Sequence, residues 1–204
     1  MVSGKITNTD QTLVFKVEDG QVAVNITGGP LAYKYQFQQM FFHWGVNGGP
    51  GSEHTVNRHS FPAEIQLYGI NSQLYSYLTE AQEYPGGVVG VAVMVQIKGE
   101  LPRDDQRHRH SGLGLEISKL AHVKYRGDVA RIHQLCLASL MPNTEDYVTY
   151  EGSTTFPGCW ETRTWVVMNK PVYVSRHEMD MFYQLRQGNK VMKKAPLGNN
   201  LRPR

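Results

Sequence analysis

Two strand-like stretches decide the fold, QFQQMFFHWG at positions 36–45 and AEIQLY at positions 63–68. Both are rich in the aromatic and aliphatic residues that are typical of β-strands. Successive side chains of a strand point to opposite faces of a sheet, so Phe41 and His43 share one face of the first strand. Glu64, Gln66 and Tyr68 likewise share one face of the second. The two strands therefore offer alternate positions whose side chains can converge on one point.

Such convergence is how a sheet can hold a catalytic zinc ion. Three protein side chains usually bind the ion and leave the fourth position to the water that it activates. Two histidines separated by one residue can supply two ligands from one strand, and a neighbouring strand supplies the third. In these stretches only His43 stands at such a position. The sequence thus indicates the frame of a zinc site most of whose ligands are missing.

Six segments of the chain resemble α-type carbonic anhydrases. They are FHWG at 42–45, GSEHTV at 51–56, AEIQL at 63–67, TYEGSTTFP at 149–157, TWVVMNKPV at 164–172 and NLRP at 200–203. The first three resemble the zinc-site strands of that family, and the fourth resembles its substrate-side loop. The resemblance covers essentially the whole chain. It implies a mainly β fold with a large, twisted, mostly antiparallel central sheet and a few short surface helices.

The resemblance places the family's three histidine ligands at Phe41, His43 and Gln66. Phenylalanine has no lone pair to donate, and the neutral carbonyl oxygen of glutamine is a poor substitute for imidazole at zinc. The family's proton-shuttle histidine falls on Gln11, which cannot titrate near neutral pH. We therefore expect no zinc cofactor and no carbonate dehydratase activity.

Residues that surround the ligands in the family are largely retained. Glu53 and Thr155 match the pair that orients the zinc-bound hydroxide, whereas His54 and Glu64 match partners of the third ligand. Groups of this kind orient the ligands of a metal but do not replace them. The resemblance thus implies that the surroundings of the site have outlasted its ligands.

The pattern of losses is similar to that of the secreted, acatalytic carbonic anhydrase-related proteins of the X and XI type. Phe156 and Tyr68 replace smaller residues of the family's substrate pocket and are expected to crowd it. The segment CWET at 159–162 strengthens the likeness to this subgroup.

Three local patterns have more than one interpretation. His43 could be a surviving metal ligand, but a lone histidine on an apolar strand face is more often a hydrogen-bonded core residue. Glu53 and Glu64 could act as a general acid and base, although a buried hydrogen-bond network with His54 and Thr155 explains them better. The segment RHRH at 107–110 could bind a metal or a polyanion, but a solvated loop explains it better.

The composition favours one globular domain. The 204 residues are 40% hydrophobic and contain no apolar run of membrane-spanning length, so the chain can bury a sizeable core and is not expected to cross a membrane. The 21 basic and 18 acidic residues give a net charge of +3. This charge is too small to indicate nucleic acid as a partner.

Hydrophobic patterning indicates a sheet with two helices. The apolar run at 88–97 is expected of a buried central strand. Apolar residues at helical spacing predict one helix around 113–121. The segment Ser175-Arg176-His177-Glu178 predicts a capping box that opens a second helix reaching about Arg186.

The ends of the sequence depart from the family pattern. The family's N-terminal segment has no counterpart before Met1, and the extreme C-terminal tail is missing. We therefore expect a single but incomplete domain over residues 1–204, from a fragment, a short isoform or an incomplete gene model. No signal peptide is visible at the polar N-terminus. A secreted, extracellular location is thus expected from the resemblance alone.

Two positions bear on that location. The resemblance implies that Cys159 is one half of the family's extracellular disulfide, with its partner in the missing N-terminal segment. Asn25-Ile26-Thr27 is a sequon for N-glycosylation, although tripeptides of this kind also occur by chance.

The expected function is a non-catalytic module that binds an extracellular or cell-surface protein. The resemblance implies a receptor of the neurexin type as the partner class, and no residue identifies the partner itself. The alternative is a carbonic anhydrase-like metalloenzyme with residual or altered hydratase or esterase activity, using His43 and Gln66, with Glu64 as a further candidate ligand, around another ion.

Overall fold

The computed structural model describes residues 1–9, 11–45, 49–98, 118–155, 158–186, 188 and 190–191. Phe156, the RHRH segment at 107–110 and NLRP at 200–203 lie outside the described residues. The described strands are β1 (Val2–Asn8), β2 (Leu13–Val17), β3 (Asn25–Ile26), β4 (Tyr35–Trp44), β5 (Thr55–Val56), β6 (His59–Ser60), β7 (Ala63–Asn71), β8 (Val88–Ile97), β9 (Val129–Leu135), β10 (Tyr147–Gly152), β11 (Arg163–Met168) and β12 (Val172–Val174). The helices are α1 (Leu78–Ala81) and α2 (Arg176–Tyr183), with short 3₁₀ helices at Ser118–His122 and Leu137–Leu140.

Ten of the described strands form one large sheet. Their order is β10-β11-β8-β7-β4-β2-β1-β9, with β12 beside β8 and β3 beside β4. Most neighbours are antiparallel, whereas β8 pairs in parallel with β11 and β12. The predicted mainly β fold with a large central sheet and short helices is therefore confirmed.

A β-bulge in β4 sets which side chains face which way. The register with β7 shifts between Phe37 and Gln39. The extra residue places Phe37 and Met40 in the same core cluster although they are three positions apart. Beyond the bulge, normal alternation separates Phe42, in that cluster, from Phe41. The bulge thus determines the direction in which the predicted ligand positions point.

The sheet has two faces with different contents. One, which we call the helix face, carries Phe42, Trp44 and Ile65 in the larger apolar core. The other, which we call the polar face, carries Phe41 and Tyr68 in a smaller apolar cluster and also the side chains at His43, Glu64 and Gln66. The candidate site lies on the polar face.

Helix α2 covers part of the helix face. Ser175 accepts a hydrogen bond from the Glu178 amide at 3.1 Å, and the Glu178 carboxylate accepts one from the Ser175 amide at 2.6 Å, as a capping box requires. The ring of Phe182 lies 6.0 Å from that of Phe42 and 5.5 Å from that of Trp44. The predicted cap is confirmed, but the helix ends at Tyr183 rather than near Arg186. Just after Tyr183, the backbone amides of the next two residues donate to carbonyl oxygens three residues earlier, as in a 3₁₀ turn.

The other predicted helix lies mostly outside the described residues, and its described part is the 3₁₀ helix Ser118–His122. Over the described part of the chain, every helix is too short or too polar to cross a membrane.

Candidate functional site

Strands β4 and β7 bring the predicted ligand positions side by side. In their antiparallel register, Phe41 is opposite Gln66 and His43 is opposite Glu64. Directly opposed side chains of an antiparallel pair lie about 5 Å apart at Cβ, and alternation keeps all four on the polar face. The structure therefore gathers positions that lie more than twenty residues apart in the sequence.

Phe41 occupies its position with hydrocarbon. The side chain is buried, and its ring meets that of Tyr68 edge to face, with centroids 5.5 Å apart and planes at 86°. Val14 and Ala92 belong to the same cluster. Aromatic pairs of this geometry are stabilising beyond the area that they bury. The first predicted ligand position thus contributes packing and offers no donor atom.

Gln66 is fully buried, and its amide is bonded at both ends. Its Oε1 accepts hydrogen bonds from the Tyr68 hydroxyl at 2.8 Å and the Thr155 hydroxyl at 2.6 Å. Its Nε2 donates to Glu64 Oε1 at 2.7 Å. Because the amide nitrogen must face the carboxylate, the oxygen of the amide faces the two hydroxyls. The oxygen that would have to bind a metal is therefore engaged by protein donors.

Glu64 anchors a chain of hydrogen bonds that runs to the surface. This fully buried carboxylate accepts from the His54 amide at 2.8 Å and from His54 Nδ1 at 2.7 Å. Since a carboxylate only accepts, Nδ1 is the donor in that bond, and Nε2 on the other side of the ring is hydrogen-bonded to the Tyr150 hydroxyl at 2.6 Å. The network links Gln66 to the exposed strand β10.

Two titrating groups reflect this network. Burial alone would raise the pKa of Glu64, but the hydrogen bonds and charge of His54, together with the Gln66 amide, outweigh it and hold the pKa below its usual value. Burial, and then the charge of Glu64, raises the pKa of Tyr150 to about 12. Glu64 is therefore ionised at neutral pH, while the Tyr150 hydroxyl keeps its proton.

His43 is buried but differs from the core histidine that the sequence predicted. Its Nδ1 lies 3.4 Å from Glu53 Oε1, and its side chain is 7% exposed. Among the residues that the structure describes, neither ring nitrogen has a hydrogen-bond partner. The expected burial is observed, but the expected hydrogen bond is not made. Glu53 thus lies against the second ligand position, whereas the hydroxyl of Thr155 bonds to Gln66.

Arg163 is a member of this face that the sequence analysis missed. The residue is fully buried at the start of β11, and its guanidinium carbon lies 5.3 Å from the centroid of the Tyr68 ring. Burial lowers its pKa to about 10. A signal was present in the sequence, because alternation in RTWVVM places the arginine on the same face as Trp165 and Val167. Tyr150 was missed as well, because its partner His54 is 96 residues away.

The residues of this face do not fit zinc. Phe41 has no donor atom, and the oxygen of Gln66 already accepts two hydrogen bonds. Within the described ranges there is no group of three or more His, Cys, Asp or Glu side chains that could hold a metal ion. A zinc site normally needs at least three protein ligands, and of the three predicted ligand positions only that of His43 carries a histidine.

The remaining predicted positions are exposed to solvent. Gln11 and Asn25 are exposed, the latter at the start of β3 and followed by an exposed Thr27. Cys159 is exposed and has a positive φ of 43°.

The known proteins that resemble this chain are carbonic anhydrases or proteins named after them. A family model for eukaryotic-type carbonic anhydrase matches residues 1–204. The chain is 38% identical over 192 residues to carbonic anhydrase-like protein 2 of Caenorhabditis elegans, covering 92% of this chain and 55% of that protein. Over 208 residues it is 33% identical to the carbonic anhydrase-related protein of Rattus norvegicus, covering 98% of this chain and 68% of that protein.

Similarity extends to a relative that is named as an enzyme. The chain is 32% identical over 202 residues to carbonic anhydrase 7 of Homo sapiens, covering 99% of this chain and 73% of that protein. By contrast, it spans only about half the length of the Caenorhabditis elegans carbonic anhydrase-like proteins 2 and 1, at 55% and 54%.

Proposed function

This chain belongs to the eukaryotic-type carbonic anhydrase family, and we propose that it is a non-catalytic member that acts by binding another protein. The observation that carries the proposal is the state of Gln66, whose amide is satisfied by Tyr68, Thr155 and Glu64 opposite a packed Phe41. The Gln66 amide thus has protein partners for both its oxygen and its nitrogen and does not need a metal to satisfy it. The names of two relatives, carbonic anhydrase-like and carbonic anhydrase-related, accord with it.

The chemistry of the family explains why the ligands matter. In carbonic anhydrases, bound zinc lowers the pKa of its water to about 7 from about 15.7 in bulk, a property of the catalytic enzymes of this family. A chain that does not hold zinc has no hydroxide nucleophile at neutral pH. Ionised Glu64 cannot supply one, because its oxygens already accept bonds from His54 and Gln66.

Metal analysis of the purified chain tests this proposal directly. After incubation with zinc and desalting, we expect well under one zinc per chain by mass spectrometry, and carbon dioxide hydration no faster than in buffer. The human enzyme relative, treated in parallel, is the positive control. Stoichiometric zinc together with hydration above buffer would support the alternative, a metalloenzyme with residual or altered hydratase or esterase activity.

We propose an extracellular or cell-surface protein as the partner, with a receptor of the neurexin type as the first candidate from family resemblance. The edge strand β10 is a reasonable surface to probe first, because Val148 there is 58% exposed. Binding to immobilised receptor ectodomains should weaken in Val148→Asp and not in Val22→Asp, a control that changes the same residue type at an 84% exposed position outside the strands. Equal binding by both variants would exclude the β10 edge as the contact.

A secreted location is part of the same proposal. Asn25 and Thr27 of the sequon are both exposed, so the site is open to glycosylation in a secreted chain. When the chain is directed through the secretory pathway behind an added leader, Asn25→Gln should abolish a glycosidase-sensitive mobility shift. The control Asn143→Gln changes an asparagine outside any sequon and should leave the shift unaltered.

A further inference from the structure

A buried positive side chain, that of Arg163, lies on the polar face close to the predicted ligand positions. Arg163 is fully buried, and its guanidinium stacks on Tyr68 with 5.3 Å between the guanidinium carbon and the ring centroid. The other end of Tyr68 donates its hydroxyl to Gln66, and its ring contacts Phe41. One side chain thus separates the guanidinium from two of the three positions.

We propose that Arg163 acts as a fixed positive charge that excludes divalent cations from the polar face. This inference rests on the proposed non-catalytic function. It adds a second reason for the exclusion of metal, a positive charge, to the first, the missing ligands. Guanidinium groups remain charged in proteins, and stacking on an aromatic face is one of their favoured arrangements.

Such a charge is needed because the polar face still carries two carboxylates near His43. Glu64 is fully buried opposite His43, and Glu53 Oε1 lies 3.4 Å from His43 Nδ1. Two carboxylates near a histidine would attract a divalent cation into a low-dielectric site. Arg163 opposes that attraction from behind Tyr68, so the charge balance of the face does not require a metal.

The size of the effect can be estimated from Coulomb's law. If a separation of about 10 Å and an effective dielectric constant of about 20 are taken, a unit positive charge weakens binding of a divalent cation by roughly two- to three-hundredfold. Restoring the ligands with Phe41→His and Gln66→His should therefore recover zinc binding, but only weakly while Arg163 is present. Neutralising Arg163 in that background should recover the remaining affinity.

The test varies the charge at position 163 while the three histidine ligands stay the same. Phe41→His/Gln66→His is the parent, to which Arg163→Met and Arg163→Gln are added as neutral variants and Arg163→Lys as the charged control. Zinc affinity is measured by competition with a chromogenic chelator, and cobalt spectra report whether the ion is four-coordinate. We expect both neutral variants to bind zinc at least about tenfold more tightly than the parent and the lysine control.

Each outcome bears on the inference. Affinities of the neutral and charged variants within twofold would overturn it, as would folded neutral variants that do not bind zinc. If circular dichroism shows that neither neutral variant folds while the lysine variant does, Arg163 serves stability instead, and the inference is also overturned. Stoichiometric zinc on the unmodified chain would instead overturn the proposed function, whatever the Arg163 comparison gives.

Discussion

The two faces of the central sheet are built on opposite principles. The helix face is filled with aliphatic and aromatic side chains such as Phe42 and Trp44, which pack against Phe182 of α2. The polar face mixes apolar rings with buried Glu64 and Arg163. Apolar packing tolerates exchange of one hydrocarbon for another, whereas each member of a buried polar network depends on its specific partners. The fold therefore depends on the first face, and the identity of this family member lies on the second.

The largest expected effect is on the helix face. Trp44→Ala removes a fully buried indole beside Phe182 and should lower the free energy of unfolding by about 3–5 kcal/mol, through lost burial and an unfilled cavity. Equilibrium unfolding in urea measures it. Trp160→Ala removes the same side chain from a 41% exposed position and should change stability by less than about 0.5 kcal/mol. Similar losses in both variants would refute the assignment of the main core to this face.

Removing a charge from the polar face comes next. Glu64→Gln should cost about 3 kcal/mol at neutral pH, because the amide cannot accept from both the backbone and the ring of His54 while it accepts from Gln66. The exposed Glu161→Gln should cost almost nothing. Urea unfolding at pH 7 compares the three chains.

The pH dependence of stability tests whether the charge of Glu64 is the source of this stabilisation. Its folded-state pKa is lowered, so its contribution is fully present above the unfolded value of about 4.5 and is lost as the pH falls through the folded value. The unmodified chain should thus lose stability below about pH 4.5 more steeply than Glu64→Gln does. Parallel acid curves for the two chains would show that the carboxylate is not held ionised in the folded state.

Adjacent residues on opposite faces give a closely matched comparison. Gln66→Met keeps the length of the side chain but leaves the hydroxyls of Tyr68 and Thr155 without their acceptor, and should cost about 2 kcal/mol. Leu67→Met, one residue on and on the helix face, conserves volume and should cost less than about 1.5 kcal/mol. Urea unfolding measures the free energy of unfolding of both variants. A larger loss for Leu67→Met than for Gln66→Met would contradict the proposed contrast between the two faces.

Sequence reasoning succeeded where the cause is local. Alternation placed Phe41 with His43, and the spacing of Ser175 and Glu178 predicted the cap, because both patterns act within a few residues. It did not give the individual contacts between residues that are distant along the chain, although the resemblance had grouped Thr155 with His54 and Glu64. The bond from Thr155 to Gln66 spans 89 residues, and the contact of Arg163 with Tyr68 spans β7, β8 and β11. Such contacts depend on strand order and register, which a single sequence does not display.

The smallest expected effect is at the exposed start of α2, where local and tertiary contributions can be separated. Ser175→Ala removes the acceptor for the Glu178 amide and should cost about 1 kcal/mol. Asp180→Ala, on the exposed side of the same helix, should change stability by less than about 0.5 kcal/mol. The shift in urea midpoint measures both. Met179 and Phe182 are buried, and we expect them to remain so when the first turn of the helix frays. If Ser175→Ala instead destabilised the chain as much as Trp44→Ala, the cap rather than the packing would hold α2 against the sheet.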